Sequence, residues 1–413
     1  MALIGLGVTG GIGAYKAVEI VRGLQQQGHD VVAIMTANAA RFVGPLTFEA
    51  ITGQQVVTDQ FASGTNTGIA HISLATDLDV LLVAPATANI LGKFANGIAD
   101  DVLSSLYLAT SAPVMVAPAM NTQMLAHDAV RENIARLEKR GVHFIDPGEG
   151  YLACGWGGKG RLAEPDDVVL ATVQLLNGGG SLLGRCVLVT AGPTLEDFDP
   201  VRFLGNRSTG RMGYAIVEEA LVRGARVVLV TGPTAVKPPH GAEVIQVRSA
   251  KEMHDAVTSR VCRDKSPVDI VVMAAAVADY TPADGPQTSK IYRDGEELVL
   301  KLLPTVDILA ELGVWRGGRT VPILVGFAAE TGDAVGRARE KLRRKAVDFV
   351  VANDVSLPGA GFAGDTNIAT LVSRNEMKEV PLSSKRALAR VIFDQIERCL
   401  GSPSTAKEAG TST

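Results

Sequence analysis

The feature that most constrains this chain is a series of short, unbroken apolar runs, each followed by a loop and a segment of helical period. LIGLGV (3–8), VVAIMT (31–36), DVLLVAPAT (79–87) and PVMVAPAM (113–120) are the runs of the first 120 residues. Between the first two, AYKAVEIVRGLQQQG (14–28) repeats its apolar residues every three or four positions, as an amphipathic helix does. A strand apolar on both faces must be covered on both, and helices between successive strands cover both sides of a parallel sheet. The pattern restarts near residue 180. CVLVTAGPT (186–194), helix-like MGYAIVEEALVRGA (212–225) and RVVLVTGPT (226–234) lead on to DIVVMAAAVADY (269–280), PILVGFAAET (322–331) and DFVVAND (348–354). The expected fold class is α/β, with two doubly wound three-layer domains. The halves share an outline of strand, loop, helix, Arg-Gly stop and strand ending in Thr, which reads as common α/β construction and not as a repeat. NGGGSLLG (177–184) is a flexible linker by composition. The reading is a first domain over 1–178, a linker over 179–184, a second domain over 185–400 and a polar, disordered tail over 401–413.

Length and charge exclude several classes. The 413 residues, 46% of them hydrophobic, suffice for more than one sizeable core. A net charge of −4 gives no global field for nucleic acid or an anionic membrane, and 5% aromatic residues leave little for base stacking. No apolar stretch nears the roughly 18 residues that span a bilayer. MALIGLGVTGG lacks the charged start of a signal peptide. The four cysteines (Cys154, Cys186, Cys262, Cys399) are far apart and form no CxxC pair, so free thiols and a cytoplasmic location are expected.

GLGVTG (5–10) matches the dinucleotide fingerprint G-x-G-x-x-G between a strand and a helix. A dinucleotide site also wants an acid at the end of the second strand, for the ribose hydroxyls. That strand ends in IMT, with Thr36 where the acid would stand. Hydroxyls and glycine amides at a helix N-terminus suit a phosphate monoester, so a mononucleotide such as FMN fits better than NAD. A plain tight turn remains the alternative. EGYLACGWGGKGRL (149–162) sets Cys154 among five glycines. Such a run is entropically free and a poor place for a core cysteine.

GVTGGIGAYKA, MTANAARFV, HISL, APATANILGKFANGIADD, PAMN and ACGWGGKGR occur in one order. Together they resemble the FMN-dependent cysteine decarboxylase family, with Gly13 where many members carry alanine. Alone, His71 reads as a structural histidine, Asn121 as a helix cap and Cys154 as an idle thiol. The resemblance implies more. The substrate's cysteine thiol is oxidised to a thioaldehyde, its carboxylate leaves as CO2, and the enethiol is then reduced and protonated. His71 is then the base, Asn121 holds the substrate carboxylate or amide, and Cys154, on a flap that closes over the substrate, is the acid. Gly10, Gly11, Ile12, Thr36, Thr87, Asn89 and Ser104 are the implied FMN contacts.

In the second half, NRSTGRMG (206–213) offers an amide, two hydroxyls and two glycines before a helix. Asp279 ends a buried strand at the sheet edge where α/β folds bind ligands. RAREKLRRKAVDF (337–349) packs six basic residues into 337–345, with Lys341 and Lys345 one turn apart. That run is a solvated helix face or, with Asp279, a triphosphate clamp. TAGPT, DPVRF, NRSTGRMG, AAAVADY, SKI, GFAAET, KLRRK, ANDVS and FAGDTN resemble, in order, the phosphopantothenate–cysteine ligase domain. That resemblance implies CTP-dependent activation of 4′-phosphopantothenate as an acyl-cytidylate, followed by attack of the amine of L-cysteine. Asn206 would hold the acyl intermediate, and Lys290 would stabilise charge in phosphoryl chemistry. Met273, Ala274, Ala275, Asp279, Lys290, Val306, Asp307, Ile308, Leu309, Phe327, Lys341 and Lys345 would bind substrate and nucleotide. Mg2+ would accompany the triphosphate, held largely by phosphate oxygens, with no protein ligand assigned. Thr209 and Arg211 replace a common Ser and Lys, KIYR lacks a second lysine, and Val306 replaces a common proline.

Both sets in one chain resemble the bifunctional decarboxylase–ligase family of bacterial coenzyme A biosynthesis. Trimeric flavoprotein units and dimeric ligase units are implied. Two other readings remain: a different flavin reaction in the first half, such as oxidative decarboxylation of a peptide cysteine or flavin prenylation, and a regulatory binding module. His71, Asn121 and Cys154 together, joined to a ligase half, favour the coenzyme A route.

Overall fold

The structure is a computed structural model, and it describes residues 1–59, 70–151, 157–264, 266–293, 297–354, 356 and 364–401. The chain divides into two compact units, Met1–Gly179 and Gly180–Thr413.

In the first unit, strands β1 (Leu3–Val8), β2 (Asp30–Met35), β3 (Val80–Ala86), β4 (Val114–Pro118) and β5 (His143–Phe144) form a parallel sheet in the order β2-β1-β3-β4-β5. Each residue of β3 and β4 is buried, as their unbroken apolar sequence requires. Every Leu or Val so removed from water contributes on the order of 1.5–3 kcal/mol, so Leu81→Asp at the sheet centre would break this unit. Helices α1 (Lys16–Gln26), α2 (Pro45–Thr52), α3 (Ala70–Asp77), α4 (Ala88–Asn96), α5 (Val102–Ala109), α6 (Thr122–Ala126), α7 (Asp128–Lys139) and α8 (Pro165–Leu176) complete it, with a hairpin of β6 (Gly148–Tyr151) and β7 (Gly157–Arg161).

The expected Arg-Gly stop fails in this half. Gly23 lies inside α1, where a Cβ would fall 2.6 Å from a Val169 methyl, so it permits close approach of α8. The helix ends instead at Gly28, at φ +85°, whose N–H donates to Gln25 O while that of His29 donates to Leu24 O. In the second half the stop does hold, at Gly224 (φ +80°).

The second unit is built on β8 (Cys186–Ala191), followed by a small hairpin of β9 (Leu195–Asp197) and β10 (Phe203–Gly205), then α9 (Arg211–Val222), β11 (Arg226–Thr231), β12 (Glu243–Gln246) and α10 (Ala250–Thr258). The chain returns through β13 (Ile270–Met273), a second hairpin of β14 (Tyr280–Pro282) and β15 (Leu302–Pro304), α11 (Ile308–Arg316), β16 (Ile323–Glu330), α12 (Ala334–Arg344) and β17 (Phe349–Asp354). An antiparallel extension, β18 (Thr366–Ser373) and β19 (Met377–Ser384), precedes α13 (Lys385–Gly401). The sheet order is β12-β11-β8-β13-β16-β17-β18-β19.

The expected flexible linker is ordered over its later part. Leu182 is buried, its N–H donates to Arg223 O (2.8 Å), and Ser181 bonds Glu397. Gly180 sits against that same carbonyl at φ +90°, where a Cβ would come within 2.1 Å of it. Of the expected tail, Gly401 closes α13 and residues 402–413 lie outside the described residues.

Candidate functional site

In each unit the chain runs from one central strand outward, then returns to build on its other side. The loops after the two strands at this switch part, and leave a crevice at their C-terminal ends. In the first unit those strands are β1 and β3; in the second, β8 and β13.

The first crevice is a cavity of ≈ 1010 Å³, at the upper end of the size of small-molecule sites. Gly10 lets the loop after β1 approach the loop after β2, since a Cβ there would sit 2.4 Å from Asn38 Cβ. Thr9 donates to Pro85 O (2.6 Å) and accepts from the Thr87 N–H (3.2 Å), which fixes the two crevice loops to each other. Gly10, Gly11, Ile12, Thr36, Thr87 and Asn89, all expected there, line the wall. At Gly13 a Cβ would meet only ordinary contacts at 3.4 Å, so alanine is tolerable.

Ser104 departs from expectation. It is fully buried off the wall, and its N–H donates to Asp101 Oδ1 (2.8 Å) in a capping box of α5. Asp101 does line the cavity, so Ser104 reaches it only through that neighbour.

A lining of glycine amides, hydroxyls and amide side chains together with the apolar Ile12, Ile90, Met120 and Leu162 fits the phosphoribityl tail and the ring of a flavin mononucleotide. Four charged wall residues were not anticipated. Lys16, the first residue of α1, is buried and pairs with Glu164 (2.9 Å). Lys93 pairs with Asp100 (2.6 Å) and Asp101 (2.7 Å). Burial disfavours the Lys93 ammonium, yet the two carboxylates outweigh it and hold its pKa above the usual lysine value. Arg161 completes the set. Six residues separate Lys93 from Asp100, the last three of them beyond the end of α4, so no helical spacing announces the pair.

Asn121 is a helix cap that also faces the cavity. Its Oδ1 accepts from the Gln123 N–H (2.8 Å) as cap of α6, and the residue lines the cavity. The hairpin is sewn to the same loop, the Met120 N–H donating to Gly160 O (3.0 Å). Only glycine serves at 160, where φ is +150° and a Cβ would lie 2.4 Å from Met120 O. Cys154 belongs to 152–156, outside the described residues. His71 is placed by its backbone in α3, and its side chain lies outside what is described.

In the second crevice the residues after β8 and β13 lock together. Thr194 Oγ1 accepts from the Ala278 N–H (2.8 Å), Thr190 Oγ1 from the Ala275 N–H (3.2 Å), and Asn206 Nδ2 donates to Val277 O (2.8 Å). The Thr305 N–H donates to Asp279 O (2.9 Å), which brings Val306 and Asp307 alongside Asp279. Asp307 caps α11 and pairs with Lys345 (2.8 Å). Burial raises its carboxyl, but Lys345, the Ala310 N–H and nearby Lys341 together hold it below the usual range. Lys341 donates to Phe327 O, and among the described residues it has no ion-pair partner. Burial first, then the charge of Lys345, pulls its pKa down to about 8 against the opposing fields of Asp307, Glu330 and Asp279.

The structure therefore assembles Asp279, Asp307, Phe327, Lys341 and Lys345 in one place. Met273, Ile308 and Leu309 belong to the core, so only their backbone can face a ligand. Ala274 and Ala275 are half-buried and Val306 is exposed. Lys290 is exposed on the segment between β14 and β15, its Nζ 5.9 Å from the Tyr292 ring centre. Among the described residues no cluster of His, Cys, Asp and Glu is placed to hold a metal, and no helix is long and apolar enough to cross a membrane.

A doubly wound unit with a mononucleotide-type crevice, followed by a second whose crevice gathers two lysines and two aspartates, defines a two-domain α/β enzyme with a flavoprotein half. The family described as Flavoprotein matches residues 2–177, and that described as DNA/pantothenate metabolism flavoprotein C-terminal domain matches 182–400. The chain is 49% identical over 393 residues to the Coenzyme A biosynthesis bifunctional protein CoaBC of Bacillus subtilis (strain 168), covering 94% of this chain and 95% of that one. It is 41% identical over 397 residues to the protein of the same name from Vibrio vulnificus (strain YJ016), covering 96% and 97%. The crystal structure of the C-terminal domain of a CoaBC protein is similar at 42% identity and a TM-score of 0.44, covering 53% of this chain and 97% of that one. The chain belongs to the family of coenzyme A biosynthesis bifunctional proteins, enzymes that join a decarboxylase to a ligase.

Proposed function

We propose that the second unit joins L-cysteine to 4′-phosphopantothenate at the expense of CTP, and that the first decarboxylates the resulting 4′-phosphopantothenoylcysteine to 4′-phosphopantetheine. The observation that carries this is the pair of switch-point crevices that differ in how their charges are paired. One is lined by amides, hydroxyls and paired charges. The other holds a buried lysine without an ion-pair partner, beside Lys345 and the cap of α11.

In the first unit the flavin is FMN, which when bound supplies two-electron oxidation and reduction at the substrate's cysteine. Gly10, Gly11, Ile12, Thr36, Thr87 and Asn89 would hold it. Asn121, fixed as a helix cap, orients the substrate's carboxylate or amide. His71 takes the thiol proton, and Cys154, carried between β6 and β7, returns one to the enethiol carbon. The glycine-rich hairpin excludes water once closed.

In the second unit Asn206 faces the acyl group. Asp279, Asp307, Phe327, Lys341 and Lys345 surround the nucleotide, and Lys290 meets charge that develops as the phosphoanhydride breaks. Mg2+, held by phosphate oxygens, neutralises the triphosphate.

Purified protein given 4′-phosphopantothenate, cysteine, CTP and Mg2+ should release pyrophosphate and CO2 and form 4′-phosphopantetheine. Release of neither gas nor pyrophosphate overturns the proposal, and equal use of ATP overturns the assignment of CTP. With Cys154→Ser, the ligase should run normally and an enethiol two hydrogens short of the product should accumulate. Normal 4′-phosphopantetheine output from that variant would remove Cys154 from the mechanism.

A further inference from the structure

Lys290 sits between β14 and β15 on a stretch whose described residues form neither helix nor strand, where a side chain aimed at a substrate needs an anchor. The structure supplies one, drawn from the loop between β9 and β10. The Asp199 side chain is fully buried. Its Oδ1 accepts from the N–H groups of Val201 (2.8 Å) and Arg202 (2.8 Å). Its Oδ2 accepts from Arg202 Nε (3.0 Å) and Nη2 (2.6 Å), and from the Ile291 N–H (3.1 Å). Arg202 Nη2 also donates to Ile291 O (2.5 Å). Both backbone groups of Ile291, next to Lys290 in the chain, are thus held by one ion pair whose carboxylate is buried. The Gln287 N–H donates to Phe198 O (3.0 Å) and ties the same stretch a second time.

We infer that Asp199 is a positioning residue for the ligase reaction: with Arg202 it clamps the Ile291 peptide and so fixes the place of the Lys290 ammonium. The inference rests on the role proposed above for Lys290. A carboxylate committed to five donors, three of them backbone N–H groups, has no capacity left for a ligand, so it acts through the segment it holds. Displacement of a reacting group by about 1 Å can cost on the order of a hundredfold in rate.

The test is a double-mutant cycle on the full chain, read as pyrophosphate release from CTP and 4′-phosphopantothenate, with kcat and KM separated. Asp199→Asn should lower kcat by at least about tenfold and leave KM for CTP within about twofold. Lys290→Gln should lower kcat by more. Adding Asp199→Asn to Lys290→Gln should then cost less than about twofold further, because the group being positioned is already gone. Asp199→Glu keeps the charge that holds Arg202 but moves the acceptor by one methylene, and should show the same kcat loss and the same coupling. It carries the cycle if Asp199→Asn does not fold. Independent, multiplying losses in the cycle would overturn the inference and leave Lys290 in place. A wild-type rate in Lys290→Gln would overturn the role of Lys290 itself, and the inference with it.

Discussion

Lys341 makes the ligase crevice sensitive to pH in a way that can be weighed. Its ammonium is largely buried, faces Lys345, and is opposed only at a distance by Asp307, Glu330 and Asp279, which leaves its pKa at about 8. At pH 8 the free enzyme therefore holds about half of its Lys341 neutral, at pH 7 about a tenth, and at pH 9 about nine-tenths. A bound triphosphate would restore the charged form, so binding should take up protons: about 0.1 at pH 7, about 0.5 at pH 8 and about 0.9 at pH 9. The phosphate's own last ionisation, near 6, leaves about a tenth of it protonated at pH 7, enough to cancel the lysine's uptake there, but only about a hundredth at pH 8, so pH 8 and 9 are where the lysine is read. Titration calorimetry with Mg–CTP in buffers of different ionisation enthalpy gives the proton number as a slope. Lys341→Met should flatten that slope. A slope near zero at pH 8, or one that Lys341→Met leaves unchanged, refutes the reasoning. The same group bears on stability. Because its folded pKa lies below the usual 10.5, its burial penalty is fully present below about pH 8 and fades as pH rises from there toward 10.5.

Gly10→Ala places a methyl 2.4 Å from Asn38 Cβ, so purified protein should carry less than about a tenth of the wild-type flavin by absorbance while pyrophosphate release is unchanged. Gly160→Ala should abolish CO2 release with flavin still bound, since it strikes Met120 O at the root of the hairpin without touching the wall of the phosphate loop. Retained decarboxylation in that variant would show that the hairpin need not be sewn to the Met120 loop. Lys93→Met leaves Asp100 and Asp101 without their cation. Flavin affinity should fall by roughly tenfold at low salt, and an unchanged dissociation constant would exclude that pair from cofactor binding.

The central parallel strands were legible in the sequence because β1, β3, β4, β8 and β13 are runs of mostly apolar, almost wholly buried residues, whereas the edge strands β5 and β12, short and largely exposed, were not read. LIGLGV became Leu3–Val8 without a shift, and CVLVTA became Cys186–Ala191. The antiparallel edge of β18 and β19 was not read. It alternates buried and open residues, and β19 carries mostly exposed ones, so its composition is that of a loop. The Arg-Gly signal misled in the first half because glycine has two uses. One is the left-handed turn at Gly28 and Gly224, the other the close helix approach at Gly23, and sequence alone cannot separate them. Loop motifs located most of both crevices, since glycines and hydroxyls after a strand announce a turn and its donors. What escaped was everything held together across sequence distance. Glu164 meets Lys16 from 148 positions away, and Asp199 meets Ile291 from 92.

The two crevices share a topology but solve opposite electrostatic problems. Around the flavin loop, Lys16 meets Glu164 and Lys93 meets Asp100 and Asp101, so the wall carries little net field of its own. That suits a resident cofactor, which must be bound by shape and hydrogen bonds through every turnover while an anionic substrate comes and goes beside it. In the ligase crevice Asp307 satisfies Lys345, and Lys341 is left with a carbonyl. A buried ammonium without a counter-ion costs stability, and a polyanion that supplies the missing charge recovers that cost as affinity. On the function proposed above, such a site would hold a triphosphate and, once pyrophosphate has left and the amine of cysteine has displaced CMP from the acyl-cytidylate, would hold that monoester less tightly. Release of product would thereby be built into the same lysine that captures the substrate. Lys341→Met should for that reason weaken binding of CTP far more than that of CMP, which comparison of their inhibition constants would show.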